Sequence, residues 1–321
     1  MDGVDVAIVG AGPTGLFGAY YAGFRGLSVM LIDALPEPGG QVTALYPEKL
    51  IFDVGGFPAI RGRDLIVNLV EQAGQFDPRY RLGVTAETLG YADGRPVLRL
   101  SDGEEVQCGA VLITGGMGSF TARPLPAARD FVGEGVLYFV PHLDDLAGHD
   151  VVIVGGGDSA FDWAQSLLPI ARSVTIVHRR DRFRAHAATV DLIRASDAEI
   201  VVNAQVLRII GDGRVKAVEV AIGQDSRILP ADTVVAALGF TADLGTLVDW
   251  GLDLDKRHIV VDSTMATNLP RVFAAGDISD YPGKVRLIAT GFGEAATAVN
   301  NAAIVIDPAA HLFPGHSSEQ G

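Results

Sequence analysis

The sequence predicts an α/β protein of two Rossmann-like domains, the second inserted into the first. Three observations predict it. A strand, glycine turn, helix and strand open the chain. The same unit returns later with the same internal spacing. Near the C-terminus a strand, Gly-Asp, loop and helix read as the first domain resumed.

The first unit reads DVAIVGAGPTGLFGAYYAGFRGLSVMLID. Val4 to Val9 is a short apolar strand, and Gly10, Gly12 and Gly15 form G-x-G-x-x-G. A helical pattern runs to about Gly26, and a strand from Ser28 to Ile32 ends at Asp33. Gly10 allows the tight turn, Gly12 lets the backbone approach a pyrophosphate, and Gly15 permits close helix packing. Thr14 sits in the same turn and counts among the expected contacts. The unpaired N–H groups and positive dipole end of the helix suit phosphates. Asp33 stands where a carboxylate accepts hydrogen bonds from a free ribose diol.

The second unit reads DVVIVGGGDSAFDWAQSLLPIARSVTIVHRR. Gly155, Gly157 and Ala160 stand where Gly10, Gly12 and Gly15 stood, with Asp158 and Ser159 between them. Gly155 follows Gly10 by 145 residues, and His178 follows Asp33 by the same 145. The acid that closes the first unit is replaced by His178, Arg179 and Arg180, with Arg184 one turn on. A carboxylate there would repel a 2′-phosphate, whereas guanidinium forks bind one. The first site therefore suits an adenosine with a free ribose diol, and the second suits NADP(H) over NAD(H).

Strands of the second unit end at Val234 to Phe240. Ile259 to Asp262 and Arg271 to Ala275 are short strands, the latter ending at Gly276-Asp277. A loop from Ile278 to Lys284 leads to a helix pattern from about Gly293 to Ile306. The expected division is residues 1–115 with 244–321 as an FAD-binding domain, and 116–243 as an NADPH-binding domain. Leu112 to Gly116 and the stretch after LGF are candidate hinges, since Gly tolerates large backbone changes. Asp277 closes a strand facing the presumed FAD site, where its carboxylate can hold ribityl hydroxyls. The helix after it can aim its positive end at the pyrimidine edge of a flavin.

The bulk numbers agree with an ordinary globular chain. Apolar residues make up 48% of 321 residues and charged residues 20%, enough for two packed domains. No apolar run reaches the roughly 18 residues of a membrane span. The chain runs straight into a strand with no basic region ahead of it, so a cytoplasmic protein is expected. The net charge of −14 argues against nucleic acid as a partner. The single cysteine, Cys108, can form no internal disulfide or Cys-x-x-Cys pair. No metal cluster is expected.

Five stretches carry a family resemblance: DALPEPGGQVTALYPEKLIFDVGGFP, VGGGDSAFDWA, HRRDRFRAH, VVDSTMATNLPRVFAAGD and YPGKVRLIATGFGEAATAVNNA. They resemble the bacterial thioredoxin-reductase-like ferredoxin/flavodoxin–NADP+ reductases, within the flavin disulfide-reductase superfamily. The TALYPEK and PGHSS segments are quite specific to this group. The resemblance implies a homodimeric FAD enzyme passing electrons between NADPH and ferredoxin or flavodoxin. It also implies residue roles. Asp33 is similar to the ribose ligand and Gln41 to a flavin-site glutamine. Tyr46 resembles the aromatic stacked on one flavin face. Ala86 and Phe120 match positions lining the adenine and flavin pocket, and Asp277 the ribityl-binding acid. In the tail, His316 resembles the residue covering the other flavin face across a dimer, with Ser317 and Ser318 near the ring. Tyr46, His316 and Ser317 are the residues expected beside the reacting ring. Phe161 stands where Leu or Val is commoner in the family.

One departure separates this chain from thioredoxin reductase, whose inserted domain carries Cys-x-x-Cys before its nucleotide motif. Here that region reads GVLYFVPHLDDLAGHD, without sulfur. Electrons leaving a flavin must then go to a redox protein, a small acceptor or oxygen. A ferredoxin reductase, an NADPH oxidase or diaphorase, and a redox sensor binding both cofactors all remain open at this point. Arg61, Arg63, Arg123 and Arg286 are candidates for a basic docking patch.

Overall fold

The computed structural model describes residues 3–313 and Gly315. The chain forms two compact units. The first takes the described parts of Met1–Ala44, Leu50–Phe120 and Ala242–Gly321, and the second takes Leu45–Lys49 and Thr121–Thr241. Among the described residues no helix is long and apolar enough to cross a membrane.

The first unit is built on a seven-stranded sheet. Arg79–Leu82, Val29–Asp33, Val4–Val9 and Glu105–Ile113 lie side by side and pair in parallel. Within these strands residues 6–9 and 29–32 are continuous apolar runs because a parallel sheet covered on both faces leaves no polar side. Glu105–Ile113 serves two neighbours in turn. Its first residues pair antiparallel with Arg95–Leu100, and its last pair in parallel with Val272–Ala274. The strand from the C-terminal third thus returns to the sheet begun at the N-terminus. Ala86–Ala92 completes the antiparallel edge.

Helix Pro13–Phe24 starts with Pro13, whose missing N–H costs nothing in a first turn. It ends before Gly26, whose φ of 75° is the left-handed conformation that closes helices. Helix Gly62–Gly74 packs on one side of it, and helix Ile288–Ile306 on another. A Cβ on Gly23 would lie 2.3 Å from Phe76, so the glycine admits that ring. The long helix begins five residues before the expected Gly293. Gly291 and Gly293 look like breakers in sequence. In the fold, Gly291 is a buried contact, where a Cβ would meet Thr14 Oγ1 at 2.4 Å. At the far end Arg25 donates to the carbonyls of His311 (2.6 Å) and Leu312 (2.7 Å) and to Asn300.

The second unit has a five-stranded parallel sheet. Its order is Val136–Leu137, Thr233–Ala237, Asp150–Gly155, Ser173–Val177, Glu199–Val201. Alternate residues of the central strand enter different cores. Val151 and Ile153 pack with Phe161, Trp163 and Leu167 of helix Asp158–Leu167. Val152 and Val154 pack with Val218, Val220 and Leu229 of a three-stranded antiparallel sheet, Ala204–Gly211, Val215–Ile222 and Asp225–Pro230. Phe161 is fully buried and meets Phe183 edge-on at 4.9 Å between ring centroids. Deleting its ring leaves a cavity under the helix. Phe161→Ala should cost about 3–5 kcal/mol, read as a lower denaturation midpoint in urea. A loss under about 1 kcal/mol would mean the core collapses around the gap.

Candidate dinucleotide-binding sites

In the first unit the three glycines of the turn do different things. Gly10 has φ 115°, and a Cβ there would lie 2.7 Å from the Thr114 carbonyl carbon. A Cβ on Gly15 would lie 1.9 Å from the Gly10 oxygen. Thr114 locks the turn by donating its hydroxyl to the Gly10 carbonyl at 2.7 Å. Gly12 is the exception, since a Cβ there meets nothing within 4 Å. It is an extended cap with no side-chain hydrogen bond to the helix. The first-turn N–H groups therefore face an open cradle, which fits a pyrophosphate. A second glycine pair closes this cradle from behind. The Gly39 N–H donates to the Ala11 carbonyl at 2.8 Å, and a Cβ on Gly40 would come within 3.1 Å of Gly12 Cα. The signal for this contact in sequence is the Pro38-Gly39-Gly40 run, which motif reading passed over.

Asp33 ends its strand beside the same turn. Its carboxylate accepts the N–H groups of Ala11 (2.6 Å) and Leu35 (2.8 Å). Burial pushes its pKa up, and these two hydrogen bonds pull it back. Gln41 opens the short helix Gln41–Leu45, and its Nε2 would lie 2.7 Å from a Cβ on Gly116. Ala86 is buried, and its carbonyl accepts the Thr246 hydroxyl at 2.8 Å. Phe120 lies on Ser119–Ala122, at the edge of this unit. Tyr46 falls in Leu45–Lys49, which groups with the second unit, where Lys49 pairs with Asp162 at 2.6 Å. His316, Ser317 and Ser318 lie outside the described residues.

Asp277 follows strand Val272–Ala274, next to the glycine turn. A Cβ on Gly276 would lie 2.8 Å from Thr14 Oγ1. Among the described residues the Asp277 carboxylate has no hydrogen-bond partner. Burial raises its pKa, Lys284 and Arg286 lower it, Glu294 raises it and His258 lowers it. Behind it lies a cluster that motif reading missed. Lys284 and Glu294 form an ion pair whose side chains are 3% and 5% exposed. The Tyr281 hydroxyl donates to Glu294 at 2.7 Å, and burial first, then Glu294, pushes its pKa up to about 12. The available signal was Glu294 itself, the one charged residue in helix Ile288–Ile306. Arg286, a candidate for the docking patch, is paired with Asp280 at 2.8 Å.

The second unit repeats the turn with one change. A Cβ on Gly155 would lie 2.4 Å from the Ala237 oxygen, whereas one on Gly157 would meet nothing within 4 Å. Gly157 is again an extended cap without a side-chain bond, and Ala160 is fully buried behind it. The new element is Gly156. A Cβ there would lie 2.4–2.6 Å from the ring of His178, so this glycine makes room for the imidazole. The Asp158 carboxylate accepts the His186 N–H at 2.8 Å, and the Arg184 N–H donates to the Gly156 carbonyl at 2.8 Å. These two bonds tie the arginine loop to the glycine turn. Ser159 is exposed beside Asp158, and Arg179, Arg180 and Arg184 are exposed around them. Among the described residues none of the three arginines is in an ion pair. A cavity of about 340 Å³ is lined by Arg180, Asp181, Arg182, Phe183, Arg184 and Asn203. Its size and guanidinium lining fit a phosphate ester.

His178 also packs against Phe183, 5.5 Å between ring centroids. Burial first, and the charges of Arg179, Arg180 and Arg184, hold its pKa below the ordinary value, against a hydrogen bond with the Arg182 backbone. The folded ring therefore takes up its proton at lower pH than the unfolded ring does. Stability should then fall as the pH drops below about 6.5. Melting curves of the native protein and His178→Gln from pH 7.5 down to about 5 check this. The fall should be shallower in the variant; parallel curves would exclude His178 as the cause.

Comparisons with known proteins bear on both units. The family model described as pyridine nucleotide-disulphide oxidoreductase matches residues 4–302. A protein of Salinispora arenicola named ferredoxin–NADP reductase is 73% identical over 320 residues, 99% of each chain. A protein of the same name from Thermus thermophilus is 48% identical, over 99% of this chain and 98% of that protein. Among solved structures, thioredoxin reductase of T. acidophilum matches with a TM-score of 0.78 at 28% identity, covering 96% of this chain and 99% of that one.

Proposed function

Because this chain belongs to the pyridine nucleotide-disulphide oxidoreductase family, we propose that it acts as an FAD-dependent ferredoxin–NADP+ reductase. The observation that carries the reading is the repeated glycine turn closed by opposite charges, Asp33 in one unit and Arg179, Arg180 and Arg184 in the other. The near full-length similarity to reductases of ferredoxin selects the acceptor. Bound FAD supplies the chemistry, taking hydride from NADPH and releasing electrons singly to ferredoxin or flavodoxin.

The protein's residues bind and orient. In the first unit the open N–H groups beyond Gly12 would hold the FAD pyrophosphate, and Asp33 would accept from the adenosine ribose. Asp277, half-buried beside the turn, would receive ribityl hydroxyls, and Gln41, next to Gly116, would contact the flavin. In the second unit the turn at Gly157 holds the NADPH pyrophosphate, and the arginine loop holds the 2′-phosphate. Tyr46, His316, Ser317 and Ser318 keep the flavin-ring roles that resemblance assigns them. Cys108 takes no part. It is buried, and burial pushes its thiol up to about 12. The working protein is a cytoplasmic homodimer, which light scattering would read as twice the mass of the chain.

Two measurements test the activity. Anaerobic NADPH oxidation with ferredoxin coupled to cytochrome c should exceed the ferredoxin-free rate many-fold. A rate indifferent to ferredoxin would instead fit a diaphorase. Arg179→Ala with Arg180→Ala should raise KM for NADPH at least about tenfold while leaving KM for NADH within about twofold. Equal effects on both would remove the 2′-phosphate assignment.

A further inference from the structure

A buried ion pair is a poor source of stability, because two ions must leave water before they attract each other. The pair Lys284–Glu294 is nearly inaccessible, with side chains 3% and 5% exposed. Its partners suggest another purpose. Glu294 Oε2 accepts the Gly276 N–H at 2.7 Å, and Lys284 Nζ donates to the Gly276 carbonyl at 2.9 Å. One glycine is thus gripped from both sides by the two members of one ion pair. Ser279 joins them, donating to the Gly276 carbonyl at 2.9 Å and accepting from Lys284 at 3.2 Å. Tyr281 donates to Glu294 Oε1, the oxygen that also pairs with Lys284, and its ring lies 5.4 Å from Lys284 Nζ.

Gly276 is a demanding place to hold. Its φ is 81°, and Thr14 of the glycine turn leaves no room for a side chain. The next residue is Asp277, whose direction follows from how the Gly276 backbone is set. We propose that Lys284 and Glu294 are positioning residues for the FAD site: by clamping Gly276 they aim the Asp277 carboxylate at the bound cofactor. This rests on the FAD assignment made above. The pair acts only through Asp277 and touches no cofactor atom itself. Its charge also reaches the carboxylate directly, since Lys284 favours the ionised form and Glu294 opposes it.

The proposal separates cofactor binding from folding. Neutralising both members, Lys284→Met with Glu294→Gln, removes the desolvation cost together with the attraction. Thermal unfolding of the apoprotein should therefore change little. FAD affinity, measured by quenching of flavin fluorescence on titration into apoprotein, should fall at least about tenfold. Lys284→Arg keeps the charge but displaces the donor from the Gly276 carbonyl; it should fall in between, and it keeps the test open if the double variant does not fold. The effect should also run through Asp277. In an Asp277→Ala background the same double change should cost less than about threefold, the non-additivity expected of coupled residues. Native affinity in both Lys284 variants would overturn the proposal, and so would a full additional loss in the Asp277→Ala background. Failure of the native chain to take up FAD would overturn the cofactor assignment and this inference together.

Discussion

Close backbone approach is the constraint on which both units depend. At Gly10 and Gly15 in the first unit, and at Gly155 in the second, a single added carbon would overlap a main-chain atom. Such contacts let a strand, a turn and a helix meet at less than side-chain distance. The helix then points its free N–H groups out of the sheet rather than into a neighbour. Gly12 and Gly157 are glycines for the opposite reason, since a Cβ on either would meet nothing within 4 Å. Crowded glycines shape the turn and open ones leave it available. Gly276 and Gly291 extend the same logic, bringing the C-terminal strand and long helix onto Thr14.

Once the two turns are alike, charge differentiates them. Asp33 is half-buried and already satisfied by two backbone N–H groups, so it is a fixed acceptor at the end of its strand. The arginines at the matching place are exposed and are held by their loop rather than by partners. A half-buried, fixed carboxylate suits a ligand that stays, and exposed guanidinium groups suit one that exchanges. The same fold element can thus serve a resident group and a visiting one.

Much of this was legible in sequence, for a physical reason. Strands of a covered parallel sheet are unbroken apolar runs, and the turn needs its glycines at set positions, so Val4–Asp33 and Asp150–Val177 announce themselves locally. The antiparallel edge at Ala86–Ala92 did not. Most of its residues are exposed, and its alternation is too weak to stand out. The start of the long helix was misplaced because a glycine that breaks one helix lets another pack closely, and only the partner tells which. The need for glycine at Gly156 comes from the His178 ring beside it, a contact that no local pattern marks. Lys284 and Glu294 were invisible for a different reason. Charged residues on a loop and a helix read as surface, and their burial depends on chain packed over them from elsewhere. The segments that resemble known flavin-ring contacts lie partly in Leu45–Lys49 and partly beyond Gly315, where local pattern says little.

The lone thiol has a practical side. Cys108 sits inside the sheet at 2% exposure, and its thiolate form is strongly disfavoured. Maleimides and iodoacetamides react with thiolates, so the folded chain offers them no target. A cysteine introduced at any exposed position would be the sole labelling site, with no need to remove a native one first. Spectroscopic probes placed in pairs, one per unit, can then report distances in the intact protein without a compensating change to its core.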